Sequence, residues 1–125
     1  MMRTPDETRD LVRHYVDRMC NSDIDAIIEL FADDATAEDP VGGDVQRGID
    51  AVRAFYATNA PLLQVEITGP ICVAANTCAF PLTAELNTGD SKLYLDAVDV
   101  MSFDDQGKIN SMKAFWNPEE FRPQR

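Results

Sequence analysis

The apolar residues of this chain change period once, and that change fixes what the chain can fold into. Before Pro61 they recur every three or four positions, apart from one short stretch at Ala35 to Asp39, and beyond it they alternate. Helices therefore come first and strands follow. Thr4-Pro5-Asp6-Glu7 reads as a helix N-cap, a proline at the first helical position and a glutamate able to complete a capping box. Leu11, Val12, Tyr15, Val16 and Met19 then form one apolar stripe, with His14 off it. Asn21-Ser22-Asp23 breaks and re-caps the chain, and Ile24, Ile27, Ile28 and Phe31 fit one face of a second helix. Ile49, Val52, Phe55 and Tyr56 fit a third, ending before Pro61.

Between the second and third helices, Ala35 to Asp39 alternates small and polar residues as a short strand does. Pro40 biases Asp39 toward an extended conformation on the Ala35 and Ala37 face, and Val41-Gly42-Gly43-Asp44 makes a turn. After Pro61, Leu63, Val65 and Ile67 alternate, and Ile71 to Ala75 continues beyond Gly69-Pro70. Cys78, Phe80, Leu82, Ala84 and Leu86 share a face, and Asn87-Thr88-Gly89-Asp90 reads as a hairpin turn. Lys92 to Phe103 and Lys108 to Trp116 complete a meander, leaving a short polar tail. The segregation of elements predicts one α+β domain over residues 1–125, with three helices on one side of a curved, mainly antiparallel sheet.

A formal net charge of −11 argues against nucleic acid and anionic membranes as partners, and no apolar run is long enough to span a bilayer, so a cytoplasmic protein is expected. His14 is the one histidine, and Cys20, Cys72 and Cys78 lack metal-ligand spacing. Three buried, reduced thiols and no metal site are expected. The shortage of histidine also removes the usual base for a serine or cysteine nucleophile. Acid-base chemistry falls to carboxyl and phenol groups.

One carboxyl group stands out. In Lys92 to Phe103 the face carrying Leu93, Leu95, Ala97, Met101 and Phe103 is interrupted by Asp99. A carboxylate on a core face without partners raises its pKa and becomes a neutral hydrogen-bond donor. The ordinary alternative is solvation near a strand end, or pairing with a cation. Tyr15 likewise reads as a packed ring, and Asp39 as a solvated strand end before a turn. Asp96 lies on the opposite face with Tyr94, Val98 and Val100, an apolar surface continued by Phe115, and a second copy of the chain is the economical cover.

Taken together, Tyr15, the run Phe31-Ala32-Asp33-Asp34-Ala35-Thr36-Ala37-Glu38-Asp39-Pro40-Val41-Gly42, the Phe55-Tyr56 pair and Asp96-Ala97-Val98-Asp99-Val100-Met101 closely resemble bacterial ketosteroid isomerases in order and spacing. The resemblance runs from the first helix to Phe115-Trp116, with a small gap around Asn87 to Lys92. It implies the cone-shaped fold of the nuclear-transport-factor-2-like superfamily and a homodimer. By position, Asp39 matches the family's general base, Tyr15 and Asp99 its oxyanion donors, and Tyr56 a tyrosine that bonds the catalytic phenol. Phe31 stands where some members carry a further tyrosine, which implies a shorter phenol network. Ketosteroid isomerases are an established case of a protonated aspartate serving as donor, so that part of the logic comes with the resemblance.

The implied reaction is steroid delta-isomerisation without a cofactor: a 3-oxo-Δ5-steroid loses a proton at C4, passes through a dienolate and regains the proton at C6. Face parity and the resemblance nominate Met19, Phe55, Leu82, Ala84, Leu95, Ala97, Met112, Ala114 and Trp116 as the wall of an apolar steroid pocket. For any single one of them, ordinary core packing is the stronger explanation, and only the group argues for a steroid-sized cavity. Two other readings compete: a non-catalytic binding or dimerisation module of the superfamily, and another superfamily enzyme such as a polyketide cyclase or an epoxide hydrolase.

Overall fold

The computed structural model describes residues 3–125. Helix α1 spans Pro5–Cys20 and opens on the expected capping box, with Thr4 Oγ1 accepting from the Glu7 N–H and Glu7 Oε1 from the Thr4 N–H. These bonds satisfy two otherwise orphaned donors of the first turn. Val12, Tyr15, Val16 and Met19 are buried from the stripe, and His14 is exposed.

Helix α2 is shorter than its periodicity suggests, spanning Ile24–Ile28. Phe31 is not its last apolar residue but the first of strand β1, Phe31–Glu38. The sheet claims that backbone: the Ile109 N–H donates to Leu30 O at 2.8 Å, and Phe31 pairs in parallel with Ile109. Long-range pairing here overrides a local helical period. A three-residue strand β2, Val45–Arg47, escapes the sequence reading because so short an element shows no alternation. Helix α3, Ile49–Asn59, follows Gly48, whose φ of +89° favours glycine, and runs into a 3₁₀ turn, Ala60–Leu62.

Strands β3 (Leu63–Ile67), β4 (Cys72–Ala74), β5 (Thr77–Asn87), β6 (Lys92–Phe103) and β7 (Ile109–Phe115) follow. The sheet order is β2-β1-β7-β6-β5-β3, with β4 also on β5. Only β1 and β7 run parallel. The architecture is the expected α+β arrangement, with the first helices against a mixed, mainly antiparallel sheet. The core lies between them, and Ile27, Val52, Phe80, Met101 and Ile109 are its fully buried centre.

Strand parity sorts β6 as the alternation predicts. Leu95, Ala97, Asp99, Met101 and Phe103 are buried on the inner face. On the outer face Val98 is 40% exposed and pairs in register with Phe115, which is 46% exposed. No helix among the described residues is long and apolar enough to cross a membrane.

Two further expectations fail. Only Cys78 is a buried thiol, its pKa pushed up to about 11 chiefly by burial. Cys20 is half-buried, with its sulfur on the Val65 backbone, and Cys72 is exposed because it lies on the outward side of the short β4. The tail is no free polar end either. Asn117 caps a 3₁₀ turn, Pro118–Glu120, after which Arg122 pairs with Tyr94 through backbone bonds of 2.8 and 2.9 Å. An unpaired edge of β6 offers a ladder that polar composition does not reveal.

Candidate active site

A cavity of about 270 Å³ opens between α1, α3 and the inner face of the sheet. Tyr15, Tyr56, Asp39, Asp99 and Trp116 all line it. Each arrives from a different element: α1, α3, the residue after β1, the inner face of β6 and the end of β7.

Tyr15 is buried at 3% exposure because it lies in the middle of the α1 stripe. Its hydroxyl is 2.8 Å from that of Tyr56, which is 1% exposed. The two rings meet edge to face at 6.1 Å, and the Phe31 ring packs 5.5 Å from that of Tyr56. Phe31 offers no hydroxyl, so the phenol pair ends there. Burial raises both phenols well above their ordinary range, and both stay protonated at neutral pH.

Asp99 sits on β6 opposite Phe80 and Ala114, 6% exposed. It has no hydrogen-bond partner among the described residues, yet no buried side-chain oxygen there lacks one, so its carboxyl group opens onto the cavity. Burial first, and the neighbouring Asp39 charge second, raise its pKa well above the usual carboxylate range. Two close carboxyls do not ionise together readily, and the more deeply buried one keeps its proton.

Asp39 follows the last residue of β1 and accepts a hydrogen bond from the Trp116 indole Nε1–H at 2.5 Å. Burial raises its pKa and the indole bond opposes that rise. Both acids are thus pushed toward the neutral form, Asp99 further than Asp39, which leaves Asp39 the readier proton acceptor of the two and Asp99 the readier hydrogen-bond donor. Two phenols accompany them.

The expected wall residues line the cavity with one exception. Met112 faces Met101 and Ala37 in register and is 1% exposed, so it belongs to the packed core and not to the pocket. The sequence reading placed Trp116 in the wall but missed its bond to Asp39. A signal existed, since a buried indole N–H needs an acceptor. It also missed Asn59, Leu62 and Phe121, which line the cavity from the 3₁₀ turn, its flank and the docked tail, where no periodicity points inward.

A family model described as a SnoaL-like domain matches residues 12–112. A steroid Delta-isomerase of Nocardioides simplex is 38% identical over 113 residues, which is 90% of this chain and 91% of that protein. The epoxide hydrolase LasB of Streptomyces lasalocidi is 27% identical across 90% of this chain, which spans 49% of LasB, about half its length. Among solved structures, the epoxide hydrolase/cyclase-like enzyme SalBIII, studied in pyran ring formation in the polyether salinomycin, superposes with a TM-score of 0.90. Its sequence is 30% identical, and the match covers 98% of this chain and all of that one.

Proposed function

This chain belongs to the SnoaL-like domain family, within the nuclear-transport-factor-2-like fold, and we propose that it is a steroid delta-isomerase acting on 3-oxo-Δ5-steroids. The observation that carries the reading is the buried Asp99 carboxyl group, opening onto an apolar cavity that it shares with Tyr15 and Asp39. The likeness to the Nocardioides isomerase across most of both chains supports it.

In this reading Asp39 removes the C4 proton, made acidic by the adjacent carbonyl. The electrons move into a dienolate, whose oxygen receives hydrogen bonds from the Tyr15 hydroxyl and neutral Asp99. With the Tyr15 proton given to that oxygen, the Tyr56 hydroxyl 2.8 Å away is left to donate to Tyr15 and so strengthens that donor. Such donors are preorganised in a site walled by hydrocarbon, and each contributes about 2.7–4 kcal/mol on the scale of other oxyanion holes. Asp39, now protonated and held in place by the Trp116 indole, then returns the proton at C6. The conjugated Δ4 ketone leaves with no net gain or loss of atoms, and no step calls on a cofactor.

The test is ultraviolet detection of the conjugated enone when a 3-oxo-Δ5-steroid meets the purified protein. Enone formation is the expected result, and none from a folded protein would refute the reading. The SalBIII likeness favours a second reading, in which the same base and acid open an epoxide during ring closure. Product analysis with a hydroxy-epoxide separates the two, and turnover of either excludes a non-catalytic binding module.

Two further parts belong to the proposal. The exposed Val98 and Phe115 pair supports a two-fold homodimer through the outer sheet face. Sedimentation at micromolar concentration should give a dimer, and a clean monomer would contradict it. A formal net charge of −11, which favours a soluble chain, supports a cytoplasmic location.

A further inference from the structure

Asn59 is the one polar side chain of the cavity wall, among the described residues, that stands apart from the phenols, the acids and the indole. It is the last residue of α3, three positions beyond Tyr56 and directly before the Ala60–Leu62 turn. At about 1.5 Å per helical residue, that sets it roughly 4.5 Å farther along the helix. Tyr56 is 1% exposed, whereas Leu62, in the turn that follows Asn59 and also in the cavity wall, is 45% exposed, so this end of the wall reaches the surface.

The amide is oriented by its own helix. Asn59 Nδ2 donates to Phe55 O at 2.8 Å, which uses one of its two N–H groups and fixes its plane. The remaining N–H and Oδ1 have no partner among the described side chains and backbone, and no buried side-chain nitrogen or oxygen there is unpaired. Oδ1 is therefore not enclosed and the second N–H is uncommitted, in a cavity whose lining also includes Phe55, Leu62, Leu63 and Phe121. A lone oriented amide in an apolar wall fixes the pose of a ligand that brings it a complementary group.

We infer that Asn59 is a specificity-determining residue that hydrogen-bonds an oxygen on the end of the substrate remote from the reacting carbonyl. The inference rests on the isomerase reading. The ligand class is a rigid apolar ring system with a ketone or hydroxyl at its far end, held by the acids and phenol at one end and by the amide at the other. A purely structural Asn59, serving only to close the last turn of α3, makes a different prediction. Its loss would weaken turnover of every substrate alike.

The experiment compares two 3-oxo-Δ5-steroids identical except that the far ring carries either a ketone or two hydrogens. Wild type, Asn59→Leu and Asn59→Ser are assayed after thermal melts establish that each is folded. Asn59→Leu should lose about tenfold more kcat/KM on the ketone than on the other steroid, the scale of one hydrogen bond. The loss should fall mainly on KM, since the contact is the same in ground and transition states. Asn59→Ser, which keeps a donor, should recover part of the difference. Equal losses on both steroids, or an unchanged ratio, would overturn the role of Asn59 while leaving the isomerase standing. Turnover of neither steroid by folded wild type would instead overturn the isomerase reading, and this inference with it.

Discussion

Asp96 and Asp99 lie three residues apart on β6, and the pleat sends them to opposite faces and opposite electrostatic fates. Asp96 is on the solvent side, gripped by both Arg122 guanidinium nitrogens at 3.0 and 3.1 Å and by the Thr83 hydroxyl at 2.8 Å. The Arg122 and Thr83 hydrogen bonds hold its carboxyl below the ordinary range. Asp99 is on the cavity side, and burial together with the Asp39 charge drives it the other way. One side-chain type is thus pushed toward the anion on one face and toward the neutral acid on the other. The strand supplies position, and the surroundings supply chemistry.

The largest expected effect comes from the third acid, which lies between these extremes. Asp39→Asn should lower kcat at least about 10²-fold while preserving fold and ligand binding, because an amide does not accept the proton. Near-normal turnover would remove Asp39 from the mechanism. In the proposed reaction its ionised form is the active one, and its pKa is raised, so kcat/KM should fall as pH drops through a value above that of a free aspartate.

Asp99 itself separates donor from tolerated core group. Asp99→Leu should lose about 10²-fold in kcat, the scale of one oxyanion donor, whereas Asp99→Asn should retain much of the activity because an amide still donates. Adding Tyr15→Phe to Asp99→Leu should cost more than either change alone, though not additively, since both donors serve one oxygen. Stability should move independently of rate. The folded protein holds the Asp99 proton more tightly than the unfolded chain does. Its contribution is therefore fully present below the unfolded pKa of about 3.9 and is lost as pH rises toward the raised folded value. Melting temperatures should accordingly show Asp99→Asn gaining on wild type as pH increases across that window. A folded Asp99→Leu protein with undiminished turnover would refute the donor assignment.

A smaller effect is expected at Trp116. Its N–H is what opposes the burial of Asp39, so Trp116→Phe should move the acidic limb of kcat/KM to higher pH, with a loss in kcat at neutral pH of about tenfold or less. An unmoved limb would mean that the indole is only wall. The smallest belongs to Asp96. Asp96→Asn should leave kcat unchanged and shift the melting temperature by about 3 °C or less, as exposed ion pairs do.

Much of this contrast was legible in the sequence. Alternation over Lys92 to Phe103 places Asp99 inward and Asp96 outward without any structure, and the capping signal at Thr4 and the stripe around Tyr15 did the same for α1. Phe31 was misplaced because its backbone is committed by a partner strand about 80 residues away, which no local period encodes. Met112 was misplaced because parity tells which face a residue takes but not whether packing or a cavity lies above it. Phe121 and Arg122 were hidden because a short segment after the last strand carries no periodic signal. The cross-strand grip on Asp96 exists only once that segment is docked. Asn59 escaped for a related reason, since nothing at the last residue of a helix tells from the sequence that a cavity lies beside it.

The central claim is that the inner-face carboxyl group remains a neutral acid at the pH where the enzyme works. Carbon-13 labelling of the aspartate carboxyl groups, with assignment by Asp99→Asn and Asp96→Asn and a nuclear magnetic resonance titration across neutral pH, reads both sides of β6 in one protein. The account predicts a carboxylic-acid signal for Asp99 through neutrality beside a carboxylate signal for Asp96, and a carboxylate signal for Asp99 at neutral pH would contradict it.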